Sequence, residues 1–118
     1  MKNFFILFSV TFLTSCPTKE EVLTTCNTNY PLEDLIWLKE IKNSMDKVDC
    51  SGKSTITQYT YNSNTVFEVV LCSNFKDGQT VVYNCNGEVI CKFGGISGEN
   101  TCPKFYNSAT NKIILYGN

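Results

Sequence analysis

The chain has 118 residues, 42% of them hydrophobic, and a formal net charge of −1, which fits one small domain. Its ten basic residues are all lysine and it has no histidine, which excludes a Ser-His-Asp triad, a Cys-His dyad, a histidine-ligated zinc site and an arginine clamp on phosphate. Near neutrality and a pI of about 5.3 also argue against nucleic-acid binding.

The amino-terminal residues have the layout of a secretory signal. A lysine at position 2 precedes the apolar segment 4–13, which is too short for a bilayer-spanning helix of about 20 residues. The next residues, Leu13-Thr14-Ser15-Cys16, resemble the lipobox of bacterial lipoproteins. In that family the cysteine thiol carries a diacylglyceryl group and signal peptidase II cleaves before it. The resemblance implies a signal peptide over 1–15 and a mature chain anchored in the lipid bilayer through Cys16.

Two acyl chains on one residue make membrane attachment effectively permanent, so no further membrane segment is required. The alternatives are an ordinary secretory signal with a free Cys16 and an uncleaved amino-terminal anchor. Lys19-Glu20-Glu21 resembles a signal that sends some lipoproteins to the cell surface, but it also suits a solvated linker. We therefore expect an outer-membrane protein that faces the periplasm or the cell surface, with residues 16–30 as the lipidated cysteine and a flexible linker.

One amphipathic helix is predicted over residues 31–46. Proline at position 31 suits the first turn, and Glu33 and Asp34 suit the positive end of the helix dipole. Charged residues fall largely on one side, and apolar residues recur at spacings of three and four on the other, namely Leu32, Leu35, Leu38, Ile41, Met45 and Val48. The helix is expected to end before a turn at residues 50–52.

After Gly52 the hydrophobic period falls to two, which predicts strands over 54–61 and 65–72 with a turn at 62–64. Two further strands, 80–85 and 88–93, flank Asn86-Gly87. This dipeptide favours a type I′ turn, in which both residues have positive φ.

Residues 112–116 are expected to form a last strand. The sequence thus predicts a single α+β domain over 31–118, with one helix packed on an antiparallel sheet of four or five strands.

Seven widely spaced cysteines without a C-x-x-C pair are typical of a domain oxidised outside the cytosol. With Cys16 lipidated, six remain for three disulfides, each contributing about 2–4 kcal/mol. Spacing alone does not fix the connectivity. Our first hypothesis has three pairs: Cys91–Cys102 closing a glycine-rich loop, Cys26–Cys50 joining the linker to the helix end, and Cys72–Cys85 locking adjacent strand ends.

Six motifs carry a further resemblance: Trp37-Leu38-Lys39, Tyr59-x-Tyr61, Cys72, Tyr83-x-x-x-Gly87-x-x-Ile90-Cys91, Gly94-Gly95-Ile96-Ser97-Gly98 and Cys102-Pro103-x-Phe105. Over residues 37–105 the chain resembles a family of short, uncharacterised lipoproteins of Gram-negative bacteria. It departs from that pattern at Cys26, Cys50, Cys85 and after Phe105. Because the family has no established activity, the resemblance transfers no functional residue.

No catalytic residue, metal site or cofactor is predicted. The Gly94–Gly98 loop lacks the Gly-Lys-Ser/Thr ending of a phosphate-binding loop and is interpreted as turns that need positive φ. Asp77 is the only acidic residue of the loop 73–79, too few for calcium. In the same loop Phe75 is an apolar residue among polar ones, so Phe75 and Asp77 are the candidate recognition residues.

Three functions remain open at this stage. The first is a membrane-tethered, non-catalytic module that binds a protein or small molecule or has a structural role. The second is an inhibitor of secreted hydrolases (proteases or muramidases) that acts through rigid loops at 73–79 and 94–103. The third is an enzyme with a reduced cysteine, which is disfavoured because the chain has no histidine to activate a thiol.

Overall fold

The computed structural model describes residues 26–50, 52–73, 78–96 and 98–117. It contains β1 (Thr55–Tyr61), β2 (Asn64–Val70), β3 (Gln79–Tyr83), β4 (Val89–Gly94) and β5 (Thr110–Tyr116), and the helices α1 (Pro31–Asp34), α2 (Ile36–Asp46) and α3 (Phe105–Ser108). The strands form one antiparallel sheet in the order β4-β3-β2-β1-β5. The prediction of an α+β domain with an antiparallel sheet of four or five strands is confirmed, and the sheet has five.

The predicted helix is divided in two at Leu35, which has an extended conformation with φ −85° and ψ 102°. Its carbonyl oxygen accepts hydrogen bonds from the backbone N–H groups of Leu38 and Lys39, and so starts α2. The apolar spacing continues across the break, so periodicity did not reveal it. Val48, predicted on the apolar face, lies two residues beyond the end of α2 and is 40% exposed.

The β1–β2 hairpin has a two-residue loop of Asn62 and Ser63, with φ values of 49° and 63°. Positive φ at both positions is the signature of a type I′ turn, whose twist matches the flanking strands.

The β3–β4 hairpin has a different turn from the predicted one. Gly87 has a φ of 80°, whereas Asn86 keeps a negative φ, so the type I′ prediction at Asn86-Gly87 is wrong. The side-chain oxygen of Asn84 accepts hydrogen bonds from the backbone of Asn86 and Glu88 at 2.9 and 3.0 Å. These bonds fix a three-residue loop that ends in a left-handed glycine.

Each face of the sheet has a cluster of buried residues. On the face that carries α2, the buried residues are Leu38, Met45, Ile56, Phe67 and Val69. The other face packs against α3 and buries Tyr59, Val66, Val82, Cys91 and Phe105. This second cover was not predicted, because a four-residue helix is too short to show a hydrophobic period.

All six candidate cysteines form disulfides, in the pairs Cys26–Cys85, Cys50–Cys72 and Cys91–Cys102. The predicted Cys91–Cys102 pair is confirmed, and the other two pairs are wrong. Cys72 follows β2 and Cys85 follows β3, so the two lie at opposite ends of these antiparallel neighbours. Cys26 and Cys50 lie towards opposite ends of α2, an 11-residue helix about 16 Å long.

None of the described helices is long and apolar enough to cross a lipid bilayer. The longest of them, α2, has 11 residues.

Candidate functional site

A groove lies at the end of the sheet where the β1–β2 and β3–β4 turns sit side by side. The turns meet there because the two hairpins are adjacent in the sheet and point the same way. The groove has a volume of 580 Å³ and is lined by Tyr61, Asn62, Asn64, Thr65, Val66, Asn84, Cys85, Asn86, Ile90 and Cys102. We call it the asparagine groove. None of the described residues that line it carries a charge.

Two of the four asparagines are held by hydrogen bonds within the protein. Asn84 organises the β3–β4 turn, and its amide nitrogen donates to the Glu88 carboxylate at 3.3 Å. Asn64 donates to the backbone carbonyl of Asn62 at 3.1 Å. These contacts hold the rim in one conformation and account for Asn84 and Asn64 structurally.

The side-chain amides of Asn62 and Asn86 make no hydrogen bond to other described residues, and both residues are exposed. Positive φ explains an asparagine at position 62 but not at 86. Beside them, the ring of Tyr61 packs on Phe105 at a centroid distance of 5.0 Å, and its hydroxyl has no partner among the described residues. The groove therefore offers hydrogen-bonding groups next to a fixed aromatic ring.

Disulfides hold the walls of the groove on both sides. Cys85 is bonded to Cys26, and Cys102 is bonded to Cys91. The indole N–H of Trp37 also donates to the carbonyl of Cys85 at 3.1 Å, which ties the β3–β4 turn to α2. A site with walls fixed in this way loses little conformational entropy when a ligand binds.

A second cluster of polar groups lies on the α3 face of the sheet. Glu68 is 6% exposed, and its carboxylate accepts a hydrogen bond from the hydroxyl of Tyr106. Burial, the hydrogen bond to Glu68 and the negative charge of Glu68 raise the pKa of Tyr106. Burial and the same charge raise the pKa of Tyr59. Both phenols stay protonated at neutral pH, so the cluster acts as a stabilising contact under the aromatic residues of α3.

Because the pKa values of Tyr59 and Tyr106 are raised in the folded protein, we expect the protein to lose stability at alkaline pH. A tyrosine whose pKa is higher in the folded state than its unfolded value of about 10 contributes to the free energy of unfolding. This contribution is fully present below about pH 10 and is lost as the pH rises further. Tyr106→Phe is expected to flatten the fall in free energy of unfolding between about pH 10 and 11, measured by urea denaturation. Because Tyr106 is 59% exposed, the change in slope stays below about 1.4 kcal/mol per pH unit.

The matched control for this prediction is Tyr30→Phe, which removes the hydroxyl of an exposed tyrosine next to α1. The control is expected to follow the wild-type profile. Identical slopes for wild type and Tyr106→Phe would contradict a role for the Glu68 contact.

The predicted recognition residues Phe75 and Asp77 lie outside the described residues, as does Cys16. The glycine-rich loop is described except at residue 97, and Gly94, Gly95 and Gly98 have φ values of 83°, 82° and 63°, as the turn interpretation predicts. Within the described part of the chain, no three histidine, cysteine, aspartate or glutamate side chains come together as metal ligands.

The asparagine groove was not predicted. Its signal in the sequence is an Asn-x-Asn triplet at each of two hairpin turns, residues 62–64 and 84–86. Each triplet alone is ordinary turn chemistry. Only the topology shows that the two turns share one end of the sheet.

No curated protein and no solved structure matches the chain significantly. One family model does match, over residues 42–118. The matched region contains all five strands, α3 and two of the three disulfides, and it includes the residues after Phe105. Since this region is well over half of the chain, the protein belongs to the family described as Domain of unknown function (DUF6970).

Proposed function

We propose that this protein is a lipid-anchored protein of the bacterial outer membrane and that its α+β domain is a non-catalytic binding module. The observation that carries the binding role is the asparagine groove. Two disulfides fix its walls, and its described lining residues offer hydrogen-bonding groups and carry no charge. All six described cysteines are in disulfides and the chain has no histidine, which supports binding over thiol catalysis.

The anchoring part of the proposal rests on the lipobox residues that end at Cys16. If the chain is anchored at Cys16, the Cys26–Cys85 disulfide limits the distance between the membrane and the domain, because this disulfide joins residue 26 to the domain. Nine residues lie between Cys16 and Cys26, and the ten Cα-to-Cα steps that join these two cysteines reach at most about 36 Å. The domain would therefore stay close to the membrane surface, with access only to ligands near the bilayer.

Intact mass spectrometry of the full-length gene product, purified from membranes in detergent, tests this proposal. We expect a chain that begins at Cys16, carries acyl groups on that residue and has three disulfides. Cys16→Ser is the matched control and is expected to lose the lipid and to partition into the aqueous phase. A water-soluble protein with an intact leader, or one with several reduced thiols, would contradict the proposal.

The inhibitor hypothesis remains the second candidate, and one observation favours it. Ile96 is 86% exposed and lies between Cys91 and Cys102, which are joined by a disulfide. An apolar side chain exposed on a covalently closed loop suits insertion into the specificity pocket of a hydrolase. A panel of secreted proteases and muramidases separates the two functions: sub-micromolar inhibition that Ile96→Asp abolishes supports the inhibitor, and no inhibition supports the binding module.

A further inference from the structure

We propose that the asparagine groove binds a neutral saccharide. This inference rests on the proposed binding role and names its ligand class. The site is the end of the sheet formed by the two hairpin turns, with Tyr61, Asn62 and Asn86 as the groups that contact the sugar.

The available groups match the chemistry of a sugar ring. A side-chain amide both donates and accepts hydrogen bonds, as sugar hydroxyls do. The amides of Asn62 and Asn86 have no hydrogen bond to other described residues, so binding need not break an existing contact. The half-buried ring of Tyr61 presents an apolar surface for the C–H groups of a pyranose, and its hydroxyl adds a donor.

The lining also argues against other ligand classes. Binding of a phosphate, carboxylate or sulfate group would favour a lysine in the lining, and none of the described lining residues is a lysine. Addition of a peptide strand needs an open sheet edge. The edge strand that lines the groove is β4, through Ile90. The outer edge of β4 is already paired, because Lys92 exchanges hydrogen bonds with Thr101 and Phe93 forms a bridge with Asn100.

The size and rigidity of the site fit a short oligosaccharide. A volume of 580 Å³ lies within the range of sites that hold drug-sized ligands. The Cys26–Cys85 and Cys91–Cys102 disulfides fix the two walls, and the contact between Tyr61 and Phe105 fixes the ring. This preorganisation offsets part of the weakness of neutral hydrogen bonds in water.

The test is NMR titration of the isotope-labelled full chain in detergent with four probes: chitotetraose, maltotetraose, anionic tetragalacturonate and a capped tetra-alanine peptide. At least one neutral tetrasaccharide is expected to shift the side-chain amide signals of Asn62 and Asn86 saturably. Asn86→Ala and Asn62→Gly are expected to weaken this binding about tenfold each. Glycine is chosen at position 62 because it accepts the φ of 49°.

Asn43→Ala is the matched control, since it removes an exposed amide from α2, away from the groove, and is expected to leave the affinity unchanged. Absence of saturable shifts with both neutral sugars up to about 10 mM would overturn the proposal. Tighter binding of tetragalacturonate or of the peptide, or an affinity insensitive to Asn86→Ala, would also overturn it. If mass spectrometry still finds acyl groups on Cys16, such a result would contradict the saccharide proposal alone, and the proposal of a membrane-tethered module would stand.

Discussion

Replacing Cys26 and Cys85 together by alanine is expected to lower the free energy of unfolding by about 4 kcal/mol. The disulfide closes the longest loop of the three, with a sequence separation of 59 residues, against 22 for Cys50–Cys72 and 11 for Cys91–Cys102. Since the entropy removed from the unfolded chain grows with the logarithm of loop length, the other two pairs are expected to contribute about 3 kcal/mol each. For a domain of total stability 5–15 kcal/mol, roughly, the loss is large.

Urea denaturation under non-oxidising, non-reducing conditions measures these differences, with Trp37 as the only tryptophan and hence the single fluorescence probe. Trp37 suits the purpose because its indole contacts the carbonyl of Cys85. The matched control is the Cys91→Ala, Cys102→Ala variant. If that variant loses more stability than the Cys26, Cys85 variant, packing of Cys91, which is 1% exposed, outweighs loop entropy.

The two wrong disulfide pairs show which pairings the predicted strands could exclude and which correct pairing they could not predict. Two cysteines that follow neighbouring antiparallel strands lie at opposite ends of the sheet, so the predicted strands alone were sufficient to exclude Cys72–Cys85. The correct partner of Cys72 is near because Cys50 precedes β1, the other neighbour of β2. Cys26–Cys85 was not predictable, since it depends on where α2 lies on the sheet.

Local pattern predicted most of the elements, because periodicity and turn residues act over short stretches of chain. It failed where one side chain changes the local geometry, as Asn84 does at the β3–β4 turn and the carbonyl of Leu35 does at the start of α2. Local sequence pattern did not predict the asparagine groove, for a different reason. Its polar groups come from two turns that are more than twenty residues apart in sequence and meet only in the sheet.

The β3–β4 turn gives the second large effect, through Gly87. This residue has a φ of 80°, and a Cβ placed on it would lie 2.9 Å from two ring atoms of Trp37. Gly87→Ala is therefore expected to lower the free energy of unfolding by about 3 kcal/mol, of which about 1 kcal/mol is left-handed backbone strain and the rest the ring contact. Urea denaturation followed by circular dichroism measures it.

Gly98→Ala separates the two contributions, because Gly98 also has a positive φ, of 63°, but a Cβ there meets nothing within 4 Å. It is expected to lose only the strain, about 1 kcal/mol. A double-mutant cycle with Trp37→Leu identifies the ring as the cause, since Gly87→Ala should lose less stability once the indole is gone. If Gly87→Ala loses the same stability in the wild-type and the Trp37→Leu backgrounds, backbone strain alone explains why this turn requires glycine. Trp37 would then not be the residue that positions the β3–β4 turn, with Asn84 and Asn86, at the groove.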